Sequence, residues 1–493
     1  MKRSSISDIL LITISSILTV LSFPPFDIEI LAWLALVLLF TVIIRADIKA
    51  SISYGLLYGF IIFAAGLSWL GVFGWFVPFT LALLLSLAYA LFCALYKTIK
   101  NRVDISDVLL IPVIWVAMEY ARSFIFPAGI MGYSQYGNIR LIQISSITGV
   151  LGISYLIALA NAMIASLLSG FDVKKLIRYS AVMTAFIILT GVYGGYALSY
   201  KEKNVPVKVG LIQSDINLKW GQDYSSEKAL EILGDLTARS SKERPRLVVW
   251  PESVIRDEIR INPQISSKVY DIVKRSNSYF LIGNNDMQIV NGAVKHYNSA
   301  LFISPKGKIL QQYNKKYVVP FWESFPIRDI FPYFKNVESK GACDAGSQFT
   351  VFKAPFGDFS ALICFEGIFG WHAREFVKRG AEFIVNISND GWSKSAAEHR
   401  QHASMDVFRA IENRVYYVRV GNSGVTGIID RAGRYVKALP VYEKGYINGD
   451  IYPSISRTIY TKYGDWFGLA CTFLTLILLI SGLLPFKGGS RAQ

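Results

Sequence analysis

Eight apolar stretches, each long enough to cross a lipid bilayer's hydrocarbon core as a helix, constrain this chain more than any other feature. They run near residues 6–23, 28–45, 52–72, 76–96, 106–124, 146–168, 178–198 and 464–485. Lipid offers no partner to a backbone N–H or C=O, so such stretches span as helices that satisfy these groups internally. The spacing predicts seven spanning helices over 1–199, a polar domain over 200–460, and an eighth helix with a short tail over 461–493. Composition agrees, with 52% of the 493 residues hydrophobic and 18% charged. Met1-Lys-Arg3 resembles the charged start of a signal peptide. Phe23-Pro-Pro-Phe26 follows where a small-residue cleavage site would be needed, so a retained helix is expected.

Lysine and arginine in short loops mark the cytoplasmic side. If all eight stretches span, Lys2, Arg45, Lys97, Arg102, Lys174, Arg178 and Lys487 fall on one side. The short loops opposite carry only Arg122 and Arg140. This arrangement predicts cytoplasmic termini and a polar domain outside the cytoplasm. The formal net charge of +15 then suits an anionic membrane surface. The polar domain has no concentrated basic run and nothing that reads as a nucleic-acid module.

One outward loop, 121–145, is rich in Gly, Tyr and Phe. It reads either as an interfacial aromatic belt or as a floor for something lipidic, with Glu119 and Arg122 snorkelling near its start.

Within the polar domain, strands are expected at Val207–Gln213, Leu247–Trp250, Tyr279–Gly283, Ser299–Ser304, Lys308–Tyr313, Ser360–Cys364, Phe383–Asn386, Tyr416–Val420 and Gly427–Asp430. Helices are expected over 225–240, 264–275 and 396–413, with another after Cys364. Strands alternating with helices predict a layered α/β domain.

The chemistry-bearing residues follow apolar strands or hairpins: Glu252 after Leu247-Val-Val-Trp250, Lys315 after Ile309–Asn314, and Cys364 after Ala361-Leu-Ile363. Strand ends are where α/β folds place reactive groups. A carboxylate to take a thiol proton, an ammonium to stabilise developing negative charge, and a cysteine nucleophile suffice for acyl transfer. Each has a plainer reading. Glu252 could be a helix N-terminal acid, Lys316 could replace Lys315, and Cys364 could be inert core or disulfide-bonded to Cys343. His399 and His402 lie three apart on a helix but lack an evident third ligand, so no metal site is expected.

The blocks VVWPES, YNKKYVVPFWESFP and LICFEG resemble the signature segments of the nitrilase superfamily. With the eight membrane stretches, the chain resembles the apolipoprotein N-acyltransferases within it. That resemblance implies an αββα sandwich facing the periplasm of a bacterial inner membrane and a Glu252–Lys315–Cys364 triad. It implies a phospholipid acyl donor, a diacylglyceryl apolipoprotein acceptor, a thioester intermediate and no cofactor. It adds Glu323 as a further essential acid, Phe365 and Glu366 beside the nucleophile, and Trp220 near the substrate. Phe365 stands where Tyr is frequent, Trp322 where Gly is, and Tyr317 where His is, so substrate contacts differ from the usual pattern. A monomer is expected. The rival readings are a membrane-anchored hydrolase of small C–N substrates and a non-enzymatic membrane protein with a degenerate domain.

Overall fold

A computed structural model describes residues 5–202, 204–216, 225–320, 323–324, 342–455 and 457–483. The chain forms two compact units, Met1–Ser199 with Tyr463–Gln493, and Tyr200–Lys462.

The first unit is helical. Among the described residues, four helices are long and apolar enough to cross a membrane: Ile48–Gly66, Val77–Lys100, Leu151–Ser169 and Val173–Leu198. The other expected spans fold as shorter helices, Ser5–Leu21, Val37–Arg45, Asp107–Ser123 and Trp466–Leu483. The 28–45 stretch is interrupted at Leu36, between Ala32–Ala35 and Val37–Arg45. There the buried Asn161 amide accepts from Leu36 N–H at 2.9 Å and donates to the Ala32 carbonyl at 3.0 Å. A side chain thus replaces backbone bonds that the break frees, which makes irregular backbone tolerable when buried in protein.

Part of the 121–145 loop is packed inside this unit, while Phe124 and Ile125 near its start are exposed. Its Met131–Gln135 turn is buried. Glu119 and Arg122 do not snorkel; both are buried. Glu119 accepts from Met131 N–H at 2.8 Å, and Arg122 donates to the Phe126 and Ala128 carbonyls at 2.8 and 2.5 Å. The two charges pin the loop's backbone, whose polar groups need partners once buried.

Among the described residues, the second unit has eleven strands: β1 (Val207–Gln213), β2 (Leu247–Ile255), β3 (Tyr279–Val290), β4 (Ala293–Ile303), β5 (Ile309–Asn314), β6 (Phe359–Ile363), β7 (Phe383–Ser388), β8 (Tyr416–Gly421), β9 (Thr426–Ile429), β10 (Tyr435–Leu439) and β11 (Gly445–Ile451). They form two sheets, β11-β1-β2-β3-β4-β5 and β10-β9-β8-β7-β6. The β1-β2-β3 and β6-β7-β8 neighbours are parallel, joined through helices. The sheets stack face to face, and helices cover each outer face.

Alternation along the strands builds these layers. Val248 and Trp250 join Leu233, Val269 and Val273 of the Ser226–Ser241 and Pro263–Ser276 helices in one buried cluster. Each such side chain contributes roughly 1.5–3 kcal/mol by leaving water. Leu247 and Val249 point the other way, toward the second sheet. Gly283 of β3 has no room for a side chain: a Cβ there would sit 2.6 Å from Glu252 Cα in the neighbouring strand and 2.9 Å from Ile387 Cδ1 of the second sheet. Gly283→Ala is expected to destabilise this unit by about 1–3 kcal/mol through overpacking. A lowered thermal midpoint of the purified protein would show it, and an unchanged midpoint would mean the sheets can part at no cost.

Candidate active site

Cys364 follows the last residue of β6 and opens the Cys364–Ile368 turn. Its φ is +52°, a left-handed conformation that costs a non-glycine residue of order 1–3 kcal/mol. Cys364 as a residue is partly buried, and both it and Cys343 are free cysteines. The Cys364 carbonyl accepts a bond of 3.1 Å from His402 Nε2, which must carry the proton because a carbonyl only accepts.

Glu252 lies within β2, which continues through Pro251-Glu252 instead of stopping there. A register irregularity between Trp250 and Ile255, with Ser253 at φ +45°, marks a local bulge. Bulges re-aim side chains. Glu252 is buried, and its carboxylate accepts from Asn298 Nδ2 at 2.7 Å and from Asn389 N–H at 2.9 Å.

Lys315 follows β5, its N–H donating to the Asn298 carbonyl at 2.8 Å. Its ammonium is buried, 2.8 Å from Glu323 Oε1 and 3.7 Å from Glu252 Oε1. Lys316 points elsewhere: its ammonium donates to the Ser347 carbonyl at 3.0 Å and lies 4.7 Å from the Phe349 ring centroid. Asn298 Nδ2 also reaches Glu323 at 3.2 Å, so one amide bridges both carboxylates. Sequence reasoning missed Asn298. The available signal was a polar residue where the apolar β4 run begins.

Glu366 is fully buried and does not face the ammonium. Its carboxylate accepts from Ile363 N–H at 2.9 Å, Lys316 N–H at 2.8 Å, Tyr317 N–H at 3.0 Å and Tyr313 O–H at 2.7 Å. It ties the lysine loop to the cysteine turn, acting through both and on neither reacting group. Phe365 stacks on Tyr317 with ring centroids 6.2 Å apart, and Phe369 lies 4.3 Å from Tyr317. These aromatics form one wall. Trp220 and Trp322 lie outside the described residues.

Burial raises the Cys364 thiol well above its ordinary range, with Glu252 adding to the rise and Lys315 opposing it. Burial also raises Glu252, partly offset by Lys315. Burial would lower Lys315, but the Glu323 and Glu252 carboxylates outweigh it and hold the ammonium charged. The cysteine therefore rests as a thiol and the lysine as an ammonium. A raised carboxylate is a better base for a thiol than an ordinary one.

Behind the cysteine turn, the buried Arg419 donates to Asp390 at 2.6 Å and to Asp406 at 2.7 Å. His402 Nδ1 lies 3.6 Å from Asp390 and 3.7 Å from Glu398. Burial and Arg419 push His402 down, but these carboxylates outweigh them and raise it to about 9. Asp390, Glu398 and His402 are close enough to share a cation, and the Arg419 guanidinium already places its charge among them. His399 bonds the Tyr442 hydroxyl at 2.9 Å instead. The two histidines thus pack beneath the site's loops.

Residues 15–163 match the family model of the apolipoprotein N-acyltransferase N-terminal domain, and residues 208–460 match that of carbon-nitrogen hydrolases. The chain is 33% identical to an apolipoprotein N-acyltransferase of Geobacter metallireducens, over 94% of this chain and 93% of the relative. It is 29% identical to apolipoprotein N-acyltransferase 1 of Treponema denticola, over 96% and 95%. Among solved structures it is similar to a mutant of the Nesterenkonia AN1 amidase from the nitrilase superfamily, at TM-score 0.41 and 16% identity, covering 53% of this chain and 94% of that one.

Glu366 makes a prediction about the site's scaffold. Burial would raise its pKa, but His372 and the converging donors outweigh burial and lower it below the ordinary carboxylate value of 4.5. The stability it contributes is present above that value and lost as pH falls through the depressed folded-state pKa. Glu366→Gln turns an N–H toward donors and is expected to cost about 1.5–3 kcal/mol near neutral pH. The thermal midpoints of variant and wild type should converge on acidification below about pH 4.5; a gap independent of pH would refute a charge-based clamp.

Proposed function

The chain belongs to the apolipoprotein N-acyltransferase family, and on that premise we propose how its own residues carry the reaction. It is an acyltransferase that moves a fatty acyl chain from a membrane phospholipid to the α-amine of the N-terminal diacylglyceryl-cysteine of apolipoproteins. The observation that carries the mechanism is the buried Lys315 ammonium, 3.7 Å from Glu252 and 2.8 Å from Glu323, with the charges of Glu252 and Lys315 both acting on the Cys364 thiol.

Glu252 takes the thiol proton as sulfur attacks the carbonyl carbon of the phospholipid ester. A C–S bond forms, the ester C–O bond breaks, and Glu252 returns the proton to the departing lysophospholipid oxygen. Lys315 stabilises the tetrahedral oxyanion as a buried, fixed positive charge. In the second half-reaction the acceptor amine attacks the thioester. Its proton passes through Glu252 to sulfur as the C–N bond forms and the C–S bond breaks. Glu323 fixes Lys315: its other oxygen accepts from Val319 N–H at 2.7 Å, which orients the carboxylate.

One chain supplies all three groups, so a monomer suffices. The reading places eight spans in a bacterial inner membrane, both termini in the cytoplasm and the Tyr200–Lys462 unit in the periplasm. The loop-charge asymmetry supports that topology.

Intact mass after incubation with phospholipid alone tests the mechanism. A gain of one fatty acyl group is expected, labile to hydroxylamine, absent in Cys364→Ala and cleared by a diacylated lipopeptide. An adduct that persists in Cys364→Ala would move the nucleophile elsewhere. Release of free fatty acid at one rate with or without lipopeptide would favour a hydrolase.

A further inference from the structure

The carbonyl of Cys364 is held from outside the proposed triad. Glu398, His402 and Asp406 are spaced four apart along the Ala396–Asn413 helix, which puts them on one face. All three are buried. Arg419 of β8 meets that face, donating to Asp406 at 2.7 Å and to Asp390 at 2.6 Å. Its Nη2 lies 3.1 Å from His402 Nδ1. The Asp390 and Glu398 carboxylates lie 3.6 and 3.7 Å from the same nitrogen. On the other side of the ring, Nε2 reaches the Cys364 carbonyl at 3.1 Å.

A carbonyl only accepts, so Nε2 carries a proton wherever this contact is made. A neutral imidazole then leaves Nδ1 as an acceptor for Arg419. An imidazolium turns an Nδ1–H toward Asp390 and Glu398 instead. Both forms find partners, and both keep the proton on Nε2, so the donor is fixed whatever the charge on the ring. Its acceptor belongs to a strained residue. Cys364 is left-handed at φ +52°, a conformation in which Cβ crowds the following carbonyl oxygen. Rotation of the peptide after Cys364 would relieve the crowding, and the His402 bond opposes it. A trans peptide holds its N–H opposite its C=O, so the same bond sets the direction of the Phe365 N–H. Glu366 anchors the strand end just before the turn by accepting from Ile363 N–H at 2.9 Å. The left-handed residue is thus gripped on both flanks.

We propose that His402 is a positioning residue of the acyl transfer, whose Nε2–H holds the Cys364 carbonyl and so keeps the nucleophile in the left-handed turn from which it reacts. The inference rests on the reading of Cys364 as nucleophile. His402 touches neither substrate nor sulfur and gives up no proton. It acts through the cysteine backbone, and Arg419, Asp390 and Glu398 hold its ring in place. The end of β6, the residues after β7, the middle of β8 and the helix face are joined through this one ring. The same hold serves both half-reactions, since neither breaks a backbone bond.

The test follows acyl-enzyme formation from phospholipid in the full-length protein, by intact mass over time. Asparagine keeps a polar group where Nδ1 stands but ends short of the Cys364 carbonyl; glutamine is long enough to donate to it. His402→Asn is expected to slow acyl-enzyme formation about tenfold at saturating phospholipid, the effect of one lost hydrogen bond. The phospholipid concentration for half-saturation should not change. His402→Gln is expected to stay within about threefold of wild type. Both variants lose the imidazole, so their thermal midpoints should fall alike while their rates differ. Rates that follow the midpoints instead would reduce His402 to packing and overturn the proposal. A folded asparagine variant at the wild-type rate overturns it too. A folded glutamine variant slowed about tenfold overturns it whether or not the asparagine variant folds. In each of these outcomes the adduct still sits on Cys364, and the nucleophile reading stands. An acyl-enzyme that survives Cys364→Ala removes that reading, and this proposal with it.

Discussion

A buried ammonium between two carboxylates is the interaction on which this site depends. Lys315 lies 2.8 Å from Glu323 and 3.7 Å from Glu252. Removing any one charge would leave the others buried without full compensation, and an uncompensated buried charge costs several kcal/mol. The longer contact is the informative one. Glu323 takes the close pairing and keeps the lysine charged. Glu252 stays near enough to feel that charge but free enough to accept a proton. Asn298 contributes to this division of labour by bonding both carboxylates from one amide.

The proposed triad draws on three separate segments, the bulge inside β2 and the residues that follow β5 and β6, so holding them in register is a mechanical problem. Glu366 meets it from below. Its carboxylate bonds the backbone of Ile363 on one side and of Lys316 and Tyr317 on the other. Two segments roughly fifty residues apart are thereby fixed to one anion. On the far side, Asn389 N–H reaches Glu252, joining the end of β7 to the bulge in β2. The face-to-face packing of the sheets brings these ends together, and Gly283 lets the sheets approach where Glu252 emerges.

Much of this is legible because the candidate residues follow apolar runs, and such runs announce themselves by composition. Glu252, Lys315 and Cys364 stand out as candidates that way, and the first nine strands are read from the same pattern. β10 and β11 are not, since Tyr435–Leu439 is half exposed and Gly445–Ile451 carries Asn448 and Asp450 within its run. β11 exists because β1 pairs with it along seven residues, a partnership across more than two hundred positions that no local pattern records. The break at Leu36 was invisible for the same reason: its partner, Asn161, lies 125 residues away. Periodicity reports which side of an element is apolar. It does not report which distant polar group will meet a given backbone atom. Asn298 and the clamp made by Glu366 both belong to that second kind of information.

The charge inventory of the site also bears on how one set of residues could serve two different nucleophiles. With Cys364 neutral, if both glutamates are ionised, Glu252, Glu323 and Lys315 sum to one negative charge in a buried space. In the proposed first half-reaction that charge would be a burden, because a thiolate must form beside it. The raised thiol pKa expresses this, and proton transfer to Glu252 removes the excess as it arises. Once sulfur is acylated, the burden becomes an advantage. The acceptor's terminal amine is mostly an ammonium near neutral pH, and a site with one surplus negative charge attracts it. Glu252 can then take its proton and release a neutral amine against the thioester. Water gains nothing from the same field, since it carries no charge to attract. On this argument the surplus carboxylate favours transfer over hydrolysis by selecting what approaches the acyl-enzyme, without any change in the groups that perform the chemistry.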